Sequence, residues 1–109
     1  MDTSPLPDTS NLFGSLGTTW PAERVAQLFA YRGWELRKCS WTDYEVTSGF
    51  AELVIEASSS EPGTVLIHGA VADVLTNLPE IANPLAAAGI SYSFECYDTA
   101  FALIHHTRG

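Results

Sequence analysis

Apolar residues recur along this chain at two spacings, and the change from one to the other outlines its elements. Ala22, Val25, Leu28 and Phe29 fall on one stripe of helical period, with Arg24 and Gln27 off it. This predicts an amphipathic helix from about Pro21 to Arg32. Pro21 suits the first turn, where its missing amide costs nothing. Glu23 complements the positive end of the helix dipole there, and Gly33 can end the helix in a left-handed conformation.

Beyond Gly33 the period falls to two. Trp34 to Cys39 reads as a strand. Tyr44, Val46, Ala51, Leu53 and Ile55 share one face of a hairpin from Trp41 to Ala57, with Ser48-Gly49 at its turn. Ser58 to Gly63 is a loop rich in turn residues, and Thr64 to His68 is a short apolar strand of the buried type. Gly69 to Thr76 fits either a longer strand or the start of a helix. Leu78 to Ala88 is helical on the spacing of Ile81, Leu85 and Ala88, with Asn77 and Glu80 at capping-box spacing. Pro84 predicts a kink there, or two short helices. Ile90 to Tyr97 alternates, with Ile90, Tyr92, Phe94 and Cys96 on one face and Ser91, Ser93, Glu95 and Tyr97 on the other. Asp98-Thr99 can turn the chain, and Phe101 to His106 returns as a final strand or a short helix.

Residues 1–18 carry Pro5, Pro7, Gly14 and Gly17 without apolar periodicity, and read as an N-terminal tail from which Leu12, Phe13 and Leu16 can dock. The element order is α-β-β-β-β-α-β-β over a single domain, residues 19–109. That order implies an α+β fold: a mostly antiparallel sheet of about five to six strands with two main helices on one face.

Composition narrows the class. Hydrophobic residues make up 46% of the 109 and charged residues 17%, enough to fill one core. There is no basic leader and no apolar run near the length of about 18 residues that a membrane helix requires. The expectation is therefore a cytoplasmic chain without a membrane partner, in which Cys39 and Cys96 are reduced thiols behaving as core hydrophobes.

Charge changes the picture more. The net charge is −8, which argues against nucleic acid as a partner. Residues 1–38 balance four acids with four bases, whereas residues 39–107 hold nine acids and no Lys or Arg. If Ser48-Gly49 is the two-residue turn, Thr47 faces Phe50 and Glu45 faces Glu52, a like-charge pair that costs stability. The same face then carries Trp41, Asp43, Val54 and Glu56. That acidic strip either keeps an exposed sheet soluble or receives a cationic surface of another protein, with Trp41 as anchor.

Candidate chemistry is sparse. His105 and His106 point to opposite faces of a strand. Cys39, His68 and Cys96 lack paired metal-ligand spacing, and His68 reads as a core histidine, so no metal site and no cofactor are expected. No nucleophile motif or dinucleotide fingerprint occurs. Glu45 with Glu52 is the single acid–base pair that could perturb one another, and no catalytic residue is assigned. Two functions remain: an acidic binding or inhibitor module that engages a basic protein through Trp41, Asp43, Glu45, Glu52 and Glu56, or a small-molecule binder or small enzyme. The second would use an aromatic pocket of Trp34, Tyr44, Tyr92 and Phe94 between sheet and helices. The low charge of residues 90–97 and 101–106 also points to a homodimer through an edge strand, the last one.

Overall fold

The helical stripe is buried along its length as Ala22, Val25, Ala26 and Phe29, with Leu28 at its margin, and forms α1 (Ala22–Ala30). Pro21 stands at the N-cap in an extended conformation, and its carbonyl accepts the Arg24 and Val25 amides. The computed structural model describes residues 6–7, 9–98 and 100–109. Over those residues the remaining elements are β1 (Leu12–Gly17), β2 (Glu35–Lys38), β3 (Asp43–Thr47), β4 (Ala51–Ala57), β5 (Thr64–Val71), α2 (Val74–Ala87), β6 (Ser91–Tyr97) and β7 (Leu103–Arg108).

The strands form one seven-stranded sheet in the order β2-β3-β4-β5-β1-β6-β7, and every pairing is antiparallel. The class is α+β, as the element order predicts, in one compact globule, with seven strands rather than the expected five to six because β1 precedes α1. β1 and β2 run in the same direction, as do β5 and β6, so each of these connections needs a crossover, and each crossover is a helix. A half-turn about the sheet normal exchanges the two crossovers, so a single handedness puts both helices on the same face. α1 lies over β2, β3 and β4, and α2 over β6. Leu12, Leu16, Val46, Leu53, Ile55, Val65, Ile67, Phe94 and Cys96 point up into this layer and form one core with the helices. Among the described residues no helix is long and apolar enough to cross a membrane.

Four expectations are corrected. The first is the tail: residues 12–17 of it are β1, a central strand held between β5 and β6. Gly14 lies under the Phe94 ring, where a Cβ would collide with it. Gly14, which dilutes the apolar signal, is what lets the ring close over the strand. Residues 1–5 and Asp8 of the tail, and Thr99 of the expected turn, lie outside the described residues.

The second is the hairpin register. Thr47 opposes Glu52, Glu45 opposes Val54, and Asp43 opposes Glu56. The turn is Gly49-Phe50, closed by the Ser48 amide on the Ala51 carbonyl at 2.9 Å. Phe50 sets this turn by packing edge-on against Trp34 at 5.4 Å, while its carbonyl accepts the Ala72 amide at 2.8 Å. The turn moves by one residue, so the pairing sum moves by two and each residue keeps its face.

The third is the second helix, which starts earlier and runs unbroken over Val74–Ala87 with Pro79 and Pro84 inside it. The carbonyls these prolines leave free belong to Leu75 and Glu80, both exposed, where water can take them. The cap is Asp73 in a left-handed conformation. Asn77 lies a turn inside the helix, where its side-chain Nδ2 donates to the Ala72 carbonyl at 2.6 Å. The fourth is His68, which is half-exposed on the bare face of β5 rather than in the core.

Candidate functional site: the uncovered face of the sheet

Both helices cover one face of the sheet, and no described element covers the other. Side chains alternate between the two faces, so the pairings give the bare face row by row. One row crosses the whole sheet: Arg37, Glu45, Val54, His68, Phe13, Glu95, His106. A second runs Asp43, Glu56, Leu66, Ser15, Ser93, Arg108. A third begins Glu35, Thr47, Glu52, Ala70.

The β2–β4 half is strongly acidic. Glu35, Asp43, Glu45, Glu52 and Glu56 share it with one cation, Arg37, whose guanidinium donates to Glu45 Oε1 at 2.7 Å. Asp43 and Glu56 stand directly opposite one another, an arrangement that costs stability between like charges. The Asp43 carboxylate accepts the Thr42 hydroxyl at 3.0 Å, and the Glu56 carboxylate lies 3.9 Å from His68 Nε2.

Beside the acids lies an aromatic patch. Phe13, the second residue of β1, stacks with His68 at 6.3 Å, meets Tyr97 edge-on at 5.6 Å, and has Phe101 tilted at 6.3 Å. The Tyr97 hydroxyl donates to Glu95 Oε1 at 3.2 Å. Desolvation first, then the bond to Glu95 and its charge, push the Tyr97 phenol up, so it remains a donor at neutral pH. Phe101 is held at φ 64°, a left-handed conformation that strains a bulky residue by about 1–3 kcal/mol. Asp98 holds it there: its carboxylate accepts the Ala100 and Ala102 amides, both at 2.9 Å, and its carbonyl accepts the Phe101 amide. The ring is 58% exposed, so this strained turn presents apolar surface to solvent rather than to the core.

The structure brings Asp43, Glu45, Glu52 and Glu56 together on this face, and sets Trp41 apart from them. Ser40 Oγ accepts the Thr42 and Asp43 amides and turns the chain before β3 begins, so the pleat does not extend to Trp41. Trp41 is 90% exposed at the tip of the β2–β3 hairpin, with Lys38 Nζ 5.3 Å from its ring centre. Glu45 and Glu52 are not opposite one another, and the carboxylate pair expected there is replaced by Asp43 with Glu56. Phe13, Tyr97 and Phe101 are absent from the sequence-based set. Tyr97 was legible from the alternation of residues 90–97, but Phe13 was hidden within the glycine-diluted segment.

The aromatic pocket does not assemble. Trp34 packs against Phe29 at 5.2 Å and Phe50, at the α1 end of the sheet. Tyr92 stacks on Phe94 at 5.2 Å on β6, four strand positions from Tyr44 on β3. Cys96 is buried on the helix side, where desolvation pushes its thiol up, while Cys39 is exposed, contrary to a core role. His68 and Cys96 lie on opposite faces of the sheet. Among the described residues no group of three or more His, Cys, Asp and Glu is placed to hold a metal ion. Comparison with protein-family models, with curated proteins and with solved structures finds no match to this chain.

Proposed function

We propose that this protein is an acidic binding module of inhibitor type, whose bare sheet face receives a cationic surface of another protein in the cytoplasm. One observation carries the reading: among the described residues a whole sheet face is left uncovered, and its β2–β4 half gathers five carboxylates against one guanidinium. A partner that brings Lys and Arg relieves the repulsion between Asp43 and Glu56, so association is favoured where folding alone is opposed. Phe13, Tyr97 and Phe101 supply the apolar contact that charge alone lacks, and their ring faces suit the stems and heads of Arg and Lys. The acids that attract a basic protein repel a phosphate backbone. Opposite charges also accelerate encounter, in a way that salt suppresses.

The test is capture at low salt on immobilised protein, with Asp43→Lys/Glu52→Lys as the face variant and Glu61→Lys/Glu80→Lys as a variant of equal net charge elsewhere. A cationic protein held by the wild type and by the control, released by salt and lost with the face variant, supports the reading. Capture of nothing, or equal capture by all three, refutes it.

A further inference from the structure

We infer that the protein forms a two-fold homodimer by pairing β7 antiparallel with β7 of a second copy. β7 closes one side of the sheet, and no described strand pairs with its outer edge. Tyr92 and Gly109 exchange both of their backbone hydrogen bonds, at 3.0 and 2.9 Å. By the alternation of an antiparallel ladder, His105 and Thr107 then turn their amides to β6, and those of His106 and Arg108 point outward.

The two edges of the sheet differ. Three of the four residues of β2 are charged, namely Glu35, Arg37 and Lys38, which guards that edge against pairing. β7 has no proline and a single formal charge, Arg108, at its far end. At its near end Phe101, Leu103 and Ile104 are 58%, 54% and 43% exposed, and Leu75 of α2, 51% exposed, lines the same groove as Ile104.

A second copy fits this edge by its own polarity. Antiparallel pairing carries Arg108 to the end of the strand where the partner's Asp98 and exposed apolar residues lie. The guanidinium meets a carboxylate there, and its stem covers apolar surface. The two-fold repeats the contact, as an isologous interface requires. The net charge does not oppose it. β4 lies four strand spacings from β7, about 19 Å, well beyond the screening length of about 8 Å at physiological salt. The dimer continues the sheet and turns both acidic halves to the same side.

The experiment is sedimentation equilibrium from low concentration up to about 1 mM, the weak end of the affinity scale. Wild type should approach twice the 11.8 kDa of one chain. His106→Pro removes an outward amide and spares every backbone bond of the β6–β7 ladder, losing within the sheet the side-chain contact of His106 Nε2 with Ser93 Oγ at 3.1 Å, and Ile104→Lys charges the edge. Each should remain monomeric with an unchanged circular dichroism spectrum, while Leu36→Lys, on the opposite edge, should dimerise as wild type does. A monomer throughout the range overturns the proposal. So does a dimer that survives both β7 variants, or one abolished by Leu36→Lys.

Discussion

Replacing Gly14 with alanine tests whether residues 12–17 are a packed central strand. A Cβ there would collide with the Phe94 ring and come within 3.0 Å of Ile67 Cγ2. Phe94 has no room to withdraw: it is fully buried and stacked on Tyr92 at 5.2 Å. Overpacking of this kind costs about 1–3 kcal/mol. Alanine returns about 0.4–1 kcal/mol by restricting the unfolded chain. The net expectation is a loss of about 1–2 kcal/mol, read as a lower urea midpoint at unchanged slope. The same loss lowers Tm by about 5–10 °C in a domain of this size. Phe94→Leu should partly rescue it, so that the double variant is more stable than the sum of the singles implies, as residues in contact do. A Gly14→Ala protein as stable as wild type, or more so, with no coupling to Phe94, would mean that this segment does not pass beneath Phe94.

Three further outcomes follow from the same geometry. Asp43 and Glu56 are cross-strand neighbours, both half-exposed, and two carboxylates about 6 Å apart repel by about 0.7 kcal/mol in water at low salt. The cycle of Asp43→Asn and Glu56→Gln should show that repulsion, shrinking as salt is added; a cycle with no coupling at low salt refutes the register. Cys39 is exposed and Cys96 buried with its thiol pushed up, so a thiol reagent should label one cysteine in the folded protein and both in urea, whereas two equally fast reactions would contradict the packing of β6. The Cys96 thiol and the Tyr97 phenol both titrate higher folded than unfolded. Their contribution is therefore fully present below about pH 9 and is lost as pH rises through the raised values. Stability should fall across the alkaline range, less steeply in Cys96→Val, and a stability that rises there would be inconsistent with this environment.

Much of this fold was legible because its elements bury one face each. The stripe of α1 and the alternation of β4 and β6 report a half-buried helix and half-buried strands directly, and the inward residues of the β3–β4 hairpin are those the period selects. What was not legible depends on partners distant in sequence. β1 has a weak local signal because Gly14 makes room for Phe94, eighty residues on. The hairpin turn sits one residue later because Phe50 docks on Trp34. His68 is flanked by apolar residues yet is half-exposed, because no described element covers its side of β5. The acidic half of the site could be read from charge and parity. Of its aromatic half, Tyr97 could be read from the alternation of β6, whereas Phe13 and Phe101 come from β1 and the turn before β7, and the three rings meet only in the folded sheet.

The most direct test of the bare face as a docking surface is a footprint by amide and side-chain chemical-shift mapping. The 109-residue chain would be titrated with the cationic protein captured at low salt. Shifts concentrated on Asp43–Thr47 and Ala51–Ala57 and on the rings of Phe13, Tyr97 and Phe101, with α1 and α2 silent, are what the geometry requires. Shifts centred on the helices, or a footprint unchanged in Asp43→Lys/Glu52→Lys, would contradict it.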